Sequence, residues 1–332
     1  MNILFSSHFF PPGIGGIEEV SRILALEFTR RGHEVIVITQ SPGHADFPFE
    51  VRRAPPLSAL VPFTRWADLV LHNNISLRTA WPLALIRRPW VIAHQTWIAR
   101  ADGRRAPVDN LKLWSLRHAR NIAASRALAA AMPVESRVIP NPYRDEIFRV
   151  TNTGPRERDL IFVGRLVTDK GVDILLGALA ILKERGIQPR ASIVGDGPER
   201  ETLETHAKRL GVEPEFTGAM QGGELAAMLN NHRLLVVPSR WEEPFGIVAL
   251  EAIACGCVPL VARAGGLPEA VGDAGTTFEK SDARALADRL ESLLSDAPAL
   301  EDFRRRAPAH LERHRPAVIA GQYLAVMEES LK

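Results

Sequence analysis

Cysteine is almost absent. The chain has two, Cys255 and Cys257, too few for a disulfide framework and too close together for a redox pair, with no third cysteine to build a zinc site. They read as small core residues in a reducing compartment. No apolar run approaches the ~18 residues needed to span a bilayer. The stretch from Met1 to Ser7 leads at once to Pro11-Pro12, which leaves no room for a signal peptide. The glycine-rich loop at residues 13–16 lacks the G-x-G-x-x-G spacing, and Gln40 and Ser41 stand where a ribose-binding acid would follow the second strand, which argues against a nicotinamide enzyme. No Asp-x-Asp pair is backed by further ligands, and no module interleaves aromatic and basic residues as nucleic-acid readers do. The expectation is a soluble cytoplasmic protein with no metal, no cofactor and no nucleic-acid partner.

What is present divides into two halves. A chain of 332 residues is too long for one compact core and predicts two domains. Residues 1–150 hold 19 basic and 12 acidic residues, a balance of +7, and the remainder holds 22 and 27, a balance of −5. A basic first half suits an anionic acceptor or an anionic membrane surface. Coding bias is the other reading, since only 6 of the 41 basic residues are lysine.

Short apolar runs alternate with helical patterns throughout. In the first half they fall at residues 2–5, 35–39, 49–52, 69–71, 90–93, 122–124 and 138–139. In the second they fall at 160–163, 191–194, 213–216, 234–237, 258–261 and 276–278. This is the pattern of doubly wound parallel sheets, one per domain, with a cleft between them. A polar stretch at residues 152–158 reads as the linker. The predicted domains are 1–150 and 151–315, with 316–332 as a helix that packs back on the first. Binding groups of such sheets gather at the strands' carboxyl ends. There the first half offers Gly15 and Gly16, which either bring backbone N–H groups to a phosphate or sugar or form a plain tight turn. It also offers His72-Asn73-Asn74, Ser125, Asn141 and His94, the best-placed ionisable group.

The second half carries the sharper signals. Its first strand runs into Gly164-Arg165 and on to Lys170, which stands at a helix N-terminus where the macrodipole disfavours a cation. A bound diphosphate would resolve that conflict, Arg165 giving a forked contact and Lys170 a point charge. Gly195 and Gly197 flank Asp196 in a turn that admits a flat ring or ribose, and the backbone near Met220 is placed to line a base pocket. Glu243 and Glu251 stand eight positions apart around a Pro-Phe-Gly turn. Gly246 opens the helix after that turn, so Glu251 lies roughly 7–8 Å along its axis, about the width of a pyrophosphate. A strand, a tight turn and a helix N-terminus make an anion site. Gly265-Gly266 reads as a mainly structural turn.

These motifs together resemble family 4 of the retaining glycosyltransferases, which have the two-domain GT-B fold. The resemblance covers essentially the whole chain and is strongest over 160–280. It rests on Gly164-Arg165 through Lys170-Gly171, on residues 195–198, and on Glu243-Pro-Phe-Gly-Ile-Val-Ala-Leu-Glu251. It implies that Arg165 and Lys170 hold the donor diphosphate, Glu251 the ribose hydroxyls, and Glu243 the donor sugar with the amides of Phe245, Gly246 and Ile247. It implies that Gly16 lies near the donor phosphate and His94 at the sugar. Two departures stand out: Gln95 follows His94 where the family often has Asp, and Pro142-Tyr143-Arg144-Asp145 replaces a Gly and an acid.

The expected activity is metal-independent, retaining transfer of a hexose-type sugar from a nucleotide diphosphate sugar, UDP favoured over GDP, to a hydroxyl of a glycan, lipid or small molecule. A silent nucleotide-sugar-binding subunit and a nucleotide-sugar epimerase are the alternatives. Peripheral contact with the cytoplasmic membrane face through the basic first domain is a further expectation.

Overall fold

The computed structural model describes residues 1–98, 106–152 and 154–332. Among the described residues the chain forms two compact units, Met1–Pro142 with His314–Lys332, and Tyr143–Arg313.

The first unit is built on seven parallel strands: β1 (Asn2–Ser7), β2 (Glu34–Thr39), β3 (Glu50–Arg53), β4 (Leu69–Asn73), β5 (Trp90–His94), β6 (Arg120–Ala123) and β7 (Arg137–Val138). Their order is β3-β2-β1-β4-β5-β6-β7. The inner strands β1, β2, β4 and β5 are apolar almost throughout and buried, as strands covered on both faces must be. The order reverses at β1, so the connections on either side of it lie on opposite faces of the sheet. Helix α1 (Gly16–Arg30) turns Val20, Leu24 and Phe28 to the core. Helices α2 (Leu60–Trp66), α3 (Leu77–Ala80), α4 (Pro107–Ser115) and α5 (Arg126–Ala130) follow.

Some polar residues read as binding groups at the carboxyl edge are structural. His72 lies inside β4 and is fully buried. Its Nδ1 accepts from the Trp90 indole at 2.9 Å, so its Nε2 carries the proton toward the Thr79 hydroxyl, 3.0 Å away. Burial pushes its pKa down to about 3, which keeps the ring neutral. Asn73 closes β4, and its amide donates to the Ser21 hydroxyl of α1. Ser125 caps α5 by accepting the N–H of Leu128.

The second unit repeats the plan with six parallel strands: β8 (Arg158–Val163), β9 (Ala191–Val194), β10 (Glu215–Gly218), β11 (His232–Val237), β12 (Val258–Ala262) and β13 (Thr276–Phe278), ordered β10-β9-β8-β11-β12-β13. The order reverses at β8. Its helices are α6 (Val172–Glu184), α7 (Arg200–Leu210), α8 (Gly222–Asn231), α9 (Ile247–Ala254), α10 (Leu267–Val271), α11 (Ala283–Ser295) and α12 (Ala297–Glu312). Pro198 stands in the turn before α7, whose N-cap is Glu199. Cys255 and Cys257 are buried free thiols, and burial drives both pKa values up to about 12, which leaves them inert.

The polar stretch at 152–158 is not where the units part. Asn230 of α8 accepts the N–H groups of Thr151 and Asn152, and its amide donates to the Arg149 carbonyl. Arg156 donates to the carbonyls of Leu229, His232 and Cys255, two of them at helix C-termini that favour a cation. Those bonds tie the stretch to the second unit; its Thr153 lies outside the described residues.

The last helix, α13 (Pro316–Leu331), belongs to the first unit and packs against α1, burying Ile319, Tyr323 and Met327. Tyr323 explains Gln95. The Gln95 amide donates to the Tyr323 hydroxyl at 3.2 Å in the interior, a position where a carboxylate would be a buried charge beside a phenol.

Candidate active site

The carboxyl ends of β8, β9, β10, β11 and β12 feed loops that are bonded to one another. Gly164 N–H donates to the Val194 carbonyl (3.0 Å), Leu166 N–H to Asp196 (2.8 Å) and Gly195 N–H to Gly218 (2.8 Å). The chains run so close that a Cβ at Gly195 would overlap the Gly164 carbonyl, and one at Gly197 the Leu166 carbonyl. These glycines are required by backbone packing before any ligand is considered. The loop after β8 is fastened to the loop after β11 in the same way. The Asp169 carbonyl accepts from Arg240 N–H at 2.9 Å, and a Cβ on Gly171 would overlap the Pro238 carbonyl.

Lys170 ends a single 3₁₀ turn (Thr168–Lys170), and Gly171, left-handed at φ 67°, leads into α6. The cation's conflict with the helix N-terminus is answered within the protein: its Nζ lies 2.6 Å from Glu243 Oε1. The side chains are 27% and 13% exposed, so the pair is only partly screened by water. Two residues read from sequence as holding different parts of a ligand therefore touch each other. Arg165 is exposed, and among the described residues its guanidinium makes no hydrogen bond or ion pair. Its charge is available.

Glu243 is held from three sides. The buried Ser239 hydroxyl donates to the same Oε1 at 2.7 Å. Gly266 N–H donates to the Glu243 carbonyl at 2.7 Å. The Glu242 carboxylate accepts Gly265 N–H and pairs with Lys280. Oε2 of Glu243 has no hydrogen bond among the described residues, which leaves it able to accept from a hydroxyl. Sequence reasoning missed Ser239 and reduced Gly265-Gly266 to a turn. The available signal was a serine four residues before Glu243 and a glycine pair ending the neighbouring strand.

Gly265 has φ 54°, and a Cβ there would overlap the Glu243 carbonyl. Gly265→Ala is therefore expected to destabilise the fold by about 1–3 kcal/mol and to raise the KM of any ligand held by Glu243. Urea unfolding and donor kinetics check this; wild-type values for both would contradict the role given to the turn.

Phe245 is buried and anchors the turn. Gly246, at φ 115°, is the N-cap of α9 with no side-chain cap, so the helix presents backbone N–H groups at its start. Glu251 is half-buried on α9. Met220 is half-buried beyond β10 and takes no part in the bonded loops. The structure thus assembles Gly164, Lys170, Gly195, Gly197 and Glu243 into one loop system, with Arg165 and the start of α9 in its flanks.

Gly15, Gly16 and His94 belong to the first unit. Gly15 is the N-cap of α1 and Gly16 its first residue. A Cβ on Gly15 would meet the Glu18 carboxylate, so the end of α1 already has an anion beside it. His94 closes β5 and is 1% exposed. The Asn121 amide donates to the carbonyls of Leu116 and Ala119, which turns its oxygen to His94 Nε2 at 3.0 Å. Nε2 thus carries the proton. Burial lowers the His94 pKa against the Asn121 bond that raises it, so the ring is neutral and Nδ1 keeps its lone pair.

Among the described residues no group of three or more His, Cys, Asp or Glu is placed to hold a metal ion, and no helix is long and apolar enough to cross a membrane.

Two doubly wound units, the second with cationic side chains, a capless helix start and a carboxylate at its carboxyl edge, define a glycosyltransferase of the GT-B type. The family model of the glycosyl transferases group 1 matches residues 143–310, about half of the chain and nearly all of the second unit. The chain belongs to that family, whose members move a sugar from an activated donor to an acceptor. It is similar to glycogen synthase of Mycobacterium tuberculosis, 28% identical over 91% of this chain and 78% of that one. It is also similar to the D-inositol 3-phosphate glycosyltransferase of Corynebacterium aurimucosum, 37% identical over 48% of this chain and 40% of that one. In fold it matches HepE of Anabaena, whose crystal structure is a complex with UDP, at a TM-score of 0.83 and 23% identity over 99% and 100% of the two chains.

Proposed function

We propose that the protein is a retaining glycosyltransferase that takes a hexose-type sugar from UDP, with GDP as the second candidate, and delivers it to a hydroxyl of a glycan, lipid or small molecule. The observation that carries the proposal is the Lys170–Glu243 pair at the heart of the bonded loops. Its cation suits a diphosphate and its carboxylate suits sugar hydroxyls, and the two meet where the loops after β8 and β11 are fastened together. HepE, which shares the fold, binds UDP and UDP-glucose; this supports UDP.

The second unit is the donor domain and the first the acceptor domain. Arg165 and Lys170 hold the diphosphate, with N–H groups of Phe245, Gly246 and Ile247. Glu251 takes the ribose, and the backbone near Gly195, Gly197 and Met220 borders the base. In the first unit, Gly15 and Gly16 offer backbone N–H groups at the start of α1 to a phosphate, and neutral His94 offers Nδ1 to a sugar hydroxyl. As the bond between anomeric carbon and diphosphate oxygen stretches, negative charge grows on the diphosphate, where Arg165, Lys170 and the start of α9 provide fixed positive potential without a metal. The acceptor hydroxyl attacks from the same face, and its proton passes to the departing diphosphate. Glu243 binds rather than attacks: Lys170 and Ser239 fix its Oε1, and its open Oε2 accepts a sugar hydroxyl. The basic first unit meets the cytoplasmic membrane face at its periphery.

A thermal-shift screen of UDP- and GDP-sugars tests the donor assignment. A donor present at a hundredfold its Kd stabilises the fold by about 2.7 kcal/mol, which raises the melting temperature by about 4 °C or more. No shift with any sugar of either nucleotide would overturn it.

A further inference from the structure

Helix α4 presents an apolar stripe to solvent. Val108, Leu111 and Trp114 recur at three-residue spacing and are 48%, 52% and 52% exposed, which puts them on one side of the helix. Leu113 and Leu116 turn the other way, onto Ile75, Ile92 and Trp90. Leu85, just before β5, is 75% exposed.

The charge of the first unit is concentrated around this stripe. The described residues of the stretch 69–134 include seven basic residues and one acidic residue, Asp109, while the rest of the unit's described residues include nine basic and ten acidic. The unit's basic excess lies in the stretch that carries α4. Arg78, Arg87, Arg88, Arg117 and Arg120 are exposed, and none forms an ion pair among the described residues. Arg120 lies beside Val91 in the register of β6 and β5, so it shares the amino ends of these strands with Arg87 and Arg88. Arg117 stands over the Trp114 ring at 5.9 Å. The carboxyl ends of the strands are at the opposite edge.

We propose that α4, through Val108, Leu111 and Trp114 with the surrounding arginines, docks the first unit onto an anionic bilayer surface. An indole with leucine and valine on one side of a helix seats at the headgroup boundary, and guanidinium groups beside it reach the phosphates. Each arginine near an anionic surface strengthens attachment about fivefold. Three side chains are too little for a stable protein interface, which needs about 1,000 Å², whereas a bilayer requires no complementary shape. The inference deepens the peripheral-contact part of the proposed function and is independent of the donor chemistry.

Sedimentation of the full-length protein with vesicles of phosphatidylcholine containing about one third phosphatidylglycerol tests it, with pure phosphatidylcholine as the control. The wild type is expected to bind the anionic vesicles, and to lose binding as salt is raised. The double variants Leu111→Ser/Trp114→Ser and Arg117→Glu/Arg120→Glu are each expected to weaken binding at least about tenfold, with donor hydrolysis and melting temperature unchanged. Binding retained in both double variants would overturn the role of α4 while leaving peripheral contact elsewhere standing. No binding by the wild type would overturn both. A concentration-dependent dimer in sedimentation velocity that Leu111→Ser/Trp114→Ser abolishes would assign the stripe to a second copy of the chain, and would also overturn the proposal.

Discussion

Lys170→Ala is expected to lower kcat about 10²- to 10³-fold, and Arg165→Ala to do the same. The two differ in what else they disturb. Arg165 has no partner in the protein among the described residues, so its loss leaves stability unchanged and removes only positive potential from the leaving diphosphate. Lys170 is bonded to Glu243, so its loss also leaves a half-buried carboxylate without its cation. Donor KM therefore rises more for Lys170→Ala than for Arg165→Ala. Arg165→Lys recovers part of the rate, because it keeps a charge and loses the planar fork. Steady-state kinetics with melting curves separate these effects. A loss of under about twofold in either alanine variant would count against its assignment.

The second large effect is expected at Glu243. Glu243→Ala removes the sugar's carboxylate and the partner of Lys170 together, with a fall in kcat/KM of about 10²-fold or more. Glu243→Gln keeps a hydrogen-bonding group of the same shape beside Ser239 and is expected to retain measurable turnover with a raised donor KM. A covalent mechanism gives a different pattern: Glu243→Gln falls to background, and the wild type accumulates a glycosyl-enzyme visible by mass spectrometry. Wild-type turnover by Glu243→Ala would remove the residue from the site altogether.

The strand pattern was legible because inner strands covered on both faces must be continuous apolar runs. The pairs Leu160–Val163 and Leu234–Val237 announce β8 and β11 without help from distant residues. The motif residues were legible for a related reason: glycines 164, 195 and 197 stand where the backbone turns after a strand, and Gly246 where a helix starts. The reason for two of them was not. Gly195 and Gly197 are there because a neighbouring loop passes within contact, which only coordinates reveal. The Lys170–Glu243 pair joins residues 73 positions apart, and no local pattern encodes that meeting. His72 misled because a histidine near a strand end looks like a ligand group, whereas β4 runs two residues further and a tryptophan from the next strand takes its Nδ1. The linker-like composition of 152–158 misled because Asn230 accepts the N–H groups at its start and the Arg156 side chain donates to carbonyls of the second unit.

The central claim is that Arg165 and Lys170 drive departure of a nucleoside diphosphate from a sugar. Phosphorus and proton NMR of the purified protein with UDP-glucose and GDP-mannose follows this without knowledge of the acceptor. Slow release of the nucleoside diphosphate is predicted, with the free sugar appearing first in the anomeric configuration it had in the donor. Release is predicted to vanish in the Arg165→Ala/Lys170→Ala double variant. Donor that stays intact indefinitely, donor isomerised without release, or release undiminished in the double variant would contradict the account.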